Sequence, residues 1–202
     1  MAVSSVQHTD FLAPINKLLE GSSALLDIGC GTGITLSRLL CPIKVGVDVH
    51  RPYLEKRQHS DGFIPVHSDA CGLSGIFLPK SFDSVTLIDV IEHFEKDVAL
   101  SVLNQAEKLA IRNVIVFTPR GFFVQDKVDP FNLGGEIYQK HRSGWEIDEF
   151  IRLGYKVIVF EHFHHEDNTS FVRSYGEGAS PIDALLAWKD CASLGGSINA
   201  NA

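Results

Sequence analysis

Several large classes of protein are excluded by what this sequence lacks. No apolar run approaches the ~20 residues that cross a bilayer, and no basic segment leads into an apolar core near the amino terminus. The expectation is a soluble, unexported, cytoplasmic protein with no membrane partner. Positive charge is also short: 18 Lys and Arg face 25 Asp and Glu, leaving a formal charge of -7. Nucleic-acid and anionic-membrane surfaces are met by positive patches, so this balance argues against both. Cys30, Cys41, Cys71 and Cys191 contain no C-x-x-C pair, which suits neither a zinc ribbon nor a disulfide framework. They read as reduced thiols, packed as small hydrophobes.

What is present begins with Leu25-Leu26-Asp27-Ile28-Gly29-Cys30-Gly31-Thr32-Gly33, an apolar run that ends on an acid and breaks into alternating glycines. It reads as a buried strand entering a nucleotide-binding turn. No G-K-[ST] follows, which excludes a P-loop. A dinucleotide fingerprint is incomplete, because the third glycine falls one residue early and Ile34 follows it.

With 202 residues the chain suits one domain, expected over 1–191, with a small, polar and disordered tail over 192–202. Apolar spacing predicts a helix from Gln7 to Glu20, a strand from Leu25 to Ile28 and a helix from Ile34 to Leu40. Strands follow at Lys44 to Val49, Phe63 to Val66, Ser84 to Ile88 and Asn113 to Phe117, with helices at Pro52 to Gln58 and Asp97 to Ile111. Alternation of this kind predicts a parallel sheet with helices on both faces and ligand at the strands' carboxyl ends. Residues 120–142 lose all periodicity and read as a substrate lid walled by Phe122, Phe123, Phe131 and Tyr138. Ser143 and Glu146 form an apparent capping box for a helix to Leu153, with Gly154 as its stop. A strand from Lys156 to Phe160, another at Ser170 to Ser174 and a short helix near Ile182 to Lys189 complete the expectation.

The chemistry gathers at the ends of these strands. Gly29, Gly31 and Gly33 let backbone approach a ligand closely, and the helix behind them offers unpaired N–H groups. Asp48 lies nineteen residues after Gly29, where a carboxylate can accept both hydroxyls of an adenosine ribose; the alternative is a cap for the next helix. Asp69 with Ala70 is placed to reach an adenine amino group.

Taken together, Leu25 to Gly33, Val45-Gly46-Val47-Asp48, Ser68-Asp69-Ala70, Phe82-Asp83 and Asp89-Val90-Ile91-Glu92-His93 resemble a class I S-adenosylmethionine-dependent methyltransferase of the short, type 11/12-like form. The likeness spans roughly Leu25 to Val159. It implies an α/β fold: a Rossmann-like, doubly wound sheet of seven strands, mostly parallel with the last antiparallel. It implies S-adenosyl-L-methionine as cofactor and S-adenosyl-L-homocysteine as product. Asp27, Gly29, Gly31 and Gly33 would surround the methionine part, Asp48 the ribose, Asp69 and Ala70 the adenine, and Asp89 the methionine moiety or the transfer site.

An oxygen acceptor must also lose a proton, and His93 and His141 are the catalytic candidates. Metal-dependent relatives, among them small-RNA 2′-O-methyltransferases and some quinone-biosynthesis O-methyltransferases, carry E-x-x-E-H. Here Asp89 replaces the first glutamate, which shortens its reach, and a site without metal is preferred to one with a divalent cation. His141-Arg142-Ser143-Gly144-Trp145 resembles an H-x-x-x-W segment, with Trp145 read as a core anchor. His162, His164 and His165 form a second cluster, read as solvated.

The leading expectation is O-methylation of a small-molecule acceptor such as a sugar or a quinone-type metabolite. Alternatives are metal-dependent 2′-O-methylation of an RNA end, a nicotinamide-dependent oxidoreductase, and a cofactor-binding scaffold without catalysis.

Overall fold

The computed structural model describes residues 3–7 and 10–191. In chain order the elements are β1 (Val3–Val6), α1 (Leu12–Leu19), β2 (Ala24–Ile28), α2 (Ile34–Ser37), β3 (Ile43–Asp48), α3 (Arg51–Glu55) and β4 (Phe63–His67). A 3₁₀ turn at Ala70–Gly75 leads to β5 (Phe82–Ile88), and a second at Ile91–His93 to α4 (Lys96–Leu109) and β6 (Ala110–Pro119). Then come α5 (Glu136–Gln139), α6 (Ile147–Arg152), β7 (Lys156–His164), α7 (Thr169–Tyr175) and β8 (Ile182–Asp190).

The sheet runs β1-β7-β8-β6-β5-β2-β3-β4, and β8 is antiparallel to both of its neighbours. Side chains of the central strands alternate between two cores. Leu26, Val85, Leu87, Val114 and Val116 pack with Ala99, Val102, Leu103 and Ala106 of α4. Leu25, Ile115, Phe117 and Leu186 pack on the other face with Leu12, Ile15 and Leu19 of α1. Because both faces are covered, these strands read as continuous apolar runs. Strand order reverses between β2 and β5, so the chain leaving these two strands diverges there and opens a crevice at their carboxyl ends.

The α/β class, the helices on both faces and the antiparallel last strand match the expectation, while four details are corrected. The sheet has eight strands because β1 joins β7 at the edge, and its exposed, short sequence gives no alternation to read. Ile182–Asp190 is a strand, not a helix; its unbroken apolar run is what a position between β6 and β7 requires. Residues 169–175 form a helix, not a strand, because Asn168 caps it by accepting from the Phe171 N–H at 3.1 Å. The capping box before α6 is Glu146 with Glu149, three residues later than expected. Ser143 instead donates its hydroxyl to the Ile91 carbonyl at 3.3 Å. The tail from Ala192 lies outside the described residues. Among the described residues no helix is long and apolar enough to cross a membrane.

Candidate active site

The glycine turn is fixed by its neighbours on both sides. The N–H groups of Gly29 and Cys30 donate to the Val47 carbonyl at 2.8 and 3.0 Å. Gly29 has φ +71°, and a Cβ there would stand 2.6 Å from Val90 Cγ2. Asp48, at the end of β3, accepts from the Gly31 N–H at 2.8 Å and from the His50 N–H at 2.7 Å. Asp27, next to last in β2, is buried and accepts from the Thr86 hydroxyl at 2.6 Å.

Two cavities open from this turn. The first, of ≈ 220 Å³, is lined by Asp27, Gly29, Gly31, Glu92 and His141 among others. The second, of ≈ 150 Å³, is lined by Asp48, Ser68, Asp69, Ala70 and Tyr138. Gly29, Asp89, His93 and Gln139 line both, so these four mark the junction. Of the sequence-derived candidates, Asp27, Gly31 and His141 line the first cavity, Asp48, Asp69 and Ala70 the second, Gly29, Asp89 and His93 both, and Gly33 neither. With φ +72° it starts α2, and a Cβ on it would meet Phe63 at 2.5 Å.

At the inner end of the first cavity Glu92, His93 and His141 bring one potential ligand atom each to within 4.8 Å of one another. The protein chain itself builds this cluster. Arg142 and Ser143 donate their backbone N–H groups to the Glu92 carbonyl at 2.7 and 3.1 Å, which carries His141 to the turn after β5. Thr118, near the end of β6, donates to Glu92 Oε2 at 2.9 Å, while the buried Oε1 has no hydrogen-bond partner among the described residues. His141 Nδ1 meets the Phe123 carbonyl at 2.7 Å and His93 Nδ1 the Lys140 carbonyl at 3.3 Å. A carbonyl only accepts, so both Nδ1 atoms carry the proton and both Nε2 atoms keep a free lone pair.

Burial sets the charge states. It pushes Asp27 and Asp89 up to about 7, and Glu92 up to about 8 with the neighbouring Asp89 adding to the shift. Asp89 keeps its surface open to the cavities, so water there relieves part of that push. Burial lowers His93 to about 3, helped by His141, and lowers His141 itself to about 4. Both imidazoles are neutral at neutral pH, beside carboxylates, and among the described residues no Lys or Arg lines either cavity. That arrangement favours a cationic guest.

Residues 120–142 cross both cavities: Phe123, Gln125 and Phe131 line the first, Tyr138 the second and Gln139 both. Phe122 lines neither cavity and is exposed. Trp145 is fully buried, packed 5.3 Å from Phe150 with Lys96 over its ring. Of the late histidines, His162 is exposed and His164 is buried in the wall of the first cavity. A register shift between Phe160 and His164 breaks the shared face that their spacing suggests. The sequence reading missed Gln125, Gln139, His164 and Asn168 as cavity residues. Only the histidine run carried any signal, and nothing local told its buried member from the exposed one.

Residues 26–114 match the model of a methyltransferase domain family. No curated protein matches the chain. Solved structures share the fold. The methyltransferase domain of bacterial CtHen1-C is 22% identical with a TM-score of 0.52, covering 87% of this chain and 95% of that one. An S-adenosylmethionine-dependent methyltransferase from Archaeoglobus fulgidus is 18% identical with a TM-score of 0.57, over 88% and 91%. Magnesium protoporphyrin IX methyltransferase from Synechocystis, with bound S-adenosylhomocysteine, is 15% identical with a TM-score of 0.53, over 90% and 83%. The match to a methyltransferase domain, set on this fold and this crevice, supports an S-adenosylmethionine-dependent enzyme. Neighbours that use S-adenosylmethionine support it as the cofactor, which counts against the nicotinamide reading.

Proposed function

We propose that the chain transfers the methyl group of S-adenosylmethionine to an oxygen of a small-molecule acceptor at the junction of the two cavities. The observation that carries this reading is the pair of neutral imidazoles, His93 and His141, each with a free Nε2 lone pair beside Glu92. In this reading the second cavity takes the adenosine end, with Asp48 on the ribose and Asp69 and Ala70 at the adenine. Asp27, Gly29 and Gly31 surround the methionine part, Gly33 holds their turn in shape, and Asp89 faces the sulfonium. The sulfonium and ammonium of the cofactor supply the positive charge that Asp27 and Asp89 lack.

The reaction needs the acceptor oxygen in line with the methyl carbon about 3 Å away, an alignment worth roughly 7 to 11 kcal/mol as proximity. The acceptor O–H gives its proton to Nε2 of His93 or His141, and the oxygen forms a bond to the methyl carbon. The carbon–sulfur bond breaks with its electron pair on sulfur, leaving S-adenosylhomocysteine. Residues 120–142 act as the lid that keeps water from this step. The charge of -7 supports a metabolite over a polynucleotide.

A second reading is favoured by the same cluster. Imidazoles pushed down to about 3 and 4 are weak bases, yet neutral imidazole and a carboxylate with a free oxygen form a fitting donor set for a divalent cation. Glu92, His93 and His141 would hold it, and bound there it would lower the pKa of an acceptor hydroxyl. The 2′-hydroxyl of an RNA end is the alternative acceptor for such a site.

An acceptor screen scored by S-adenosylhomocysteine release, run with and without chelator and with His141→Ala, tests both readings. Turnover of a metabolite that falls at least tenfold in His141→Ala supports the first. Loss of turnover on chelation, restored by a divalent cation, supports the second. Turnover unchanged in His141→Ala contradicts both.

A further inference from the structure

His164 lies at the end of β7, in the wall of the first cavity and outside the Glu92, His93 and His141 cluster. It is buried, and burial lowers it to about 4, with His141 and His165 adding to the shift, so it is neutral. Its tautomer follows from a chain of hydrogen bonds. Asn168 caps α7 by accepting from the Phe171 N–H at 3.1 Å, which fixes which end of the Asn168 amide is oxygen. The other end is therefore NH₂, and it lies 3.5 Å from His164 Nδ1. Nδ1 accepts, so the proton of the neutral ring sits on Nε2. That Nε2–H is buried and has no hydrogen-bond partner among the described residues. Buried donors are seldom left unmade without a ligand or function to explain them.

We propose that His164 is an acceptor-binding residue, donating its Nε2–H to an oxygen of the acceptor other than the one that is methylated, with Asn168 as the positioning residue that sets the tautomer. The acceptor class is then a small molecule carrying at least two oxygen functions: the hydroxyl that reacts at His93 and His141, and a carbonyl, carboxylate or second hydroxyl that meets His164. Phe123, with its ring 5.1 Å from that of His164 and 5.5 Å from that of His141, stands against both and gives the acceptor's carbon frame an apolar surface between them. This inference rests on the proposed methyl transfer at the cavity junction.

The test uses the full chain with S-adenosylmethionine and matched acceptors that carry at least two oxygen functions or only one: catechol and phenol, salicylate and 2-methylphenol, glycerate and propanol. S-adenosylhomocysteine release is the readout, and cofactor affinity is measured separately by calorimetry. The expected result is turnover of dioxygen acceptors over their partners. His164→Leu raises KM for the acceptor by about tenfold, the effect of one hydrogen bond, with cofactor affinity unchanged. His164→Gln, which keeps an N–H near the Nε2 position, restores most of that KM. Asn168→Asp retains the cap of α7 but places a carboxylate on Nδ1, which draws the proton there and makes Nε2 an acceptor. Its KM rises as in His164→Leu, although the helix stays capped and the melting temperature is unchanged. A purely structural role for His164 predicts a lower melting temperature without the KM change or the Gln rescue, and that result overturns the proposal. So does equal turnover of both members of each pair, or no turnover of any dioxygen acceptor by protein that binds cofactor. Protein that binds no cofactor refutes the methyl-transfer reading itself.

Discussion

Tyr53 of α3 donates its hydroxyl to Asp129 Oδ1 at 2.7 Å, across 76 residues of sequence. Asp129 also accepts from the N–H groups of Phe131, Leu133 and Gly135 at 2.9, 2.6 and 3.1 Å. One carboxylate thus folds the middle of the 120–142 segment into a knot and ties it to the helix that follows Asp48. The same knot sets Phe131 over Gly31, 3.3 Å from where its Cβ would be, so the loop and the glycine turn are in register with each other.

Tyr53→Phe keeps the ring and removes the tie. The expected cost is about 1 kcal/mol of stability, the net value of one hydrogen bond, and a raised KM for the acceptor. Hydrogen exchange at 129–135 should quicken while exchange in β2 and β5 is unchanged. Asp129→Ala strands three N–H groups and the buried Tyr53 hydroxyl, so denaturant unfolding should report a larger loss than in Tyr53→Phe.

Glu92 gives a signed pH dependence. Its folded pKa is raised from 4.5 to about 8, so the native state holds a proton that the unfolded state has released. The stabilising effect of that proton is complete below about pH 4.5 and is lost as pH rises through about 8. Measured against Glu92→Gln, which does not titrate, the cofactor-free wild type should lose up to ~1.4 kcal/mol per pH unit across that window. Chemical denaturation of both proteins at several pH values checks the slope, and a flat difference contradicts the assignment. Added divalent cation should flatten the slope if the second reading of the cluster holds.

Gly29→Ala combines two penalties. A left-handed backbone costs a non-glycine residue roughly 1–2 kcal/mol, and the new methyl would overlap Val90 Cγ2 for about 1–3 more. The expectation is ~2–5 kcal/mol of destabilisation with loss of cofactor affinity. The double variant with Val90→Ala should recover stability only in part, because it relieves the overlap and not the backbone strain.

The half of the crevice proposed for the cofactor was legible in the sequence because its signals are local. Leu25-Leu26-Asp27 runs into glycines that only a turn explains, Asp48 ends a strand and Asp69 follows one by two residues. The acceptor side was less so. Ser143 mimics a cap, but its N–H and hydroxyl are drawn to the Glu92 and Ile91 carbonyls, and Glu146 takes over the cap. Ile182 to Asp190 has no period because both its faces and both its edges are covered. Asp129 is one acid in an irregular loop, and nothing in the sequence pairs it with Tyr53. His164 differs from His162 only through a bulge that no spacing rule anticipates.

The most direct test of the account is calorimetric titration of S-adenosylmethionine into the wild-type protein and into Asp48→Ala. The wild type should bind one cofactor per chain, and the variant at least tenfold more weakly with its fold intact. No binding to the wild type, or equal binding to Asp48→Ala, would contradict the account.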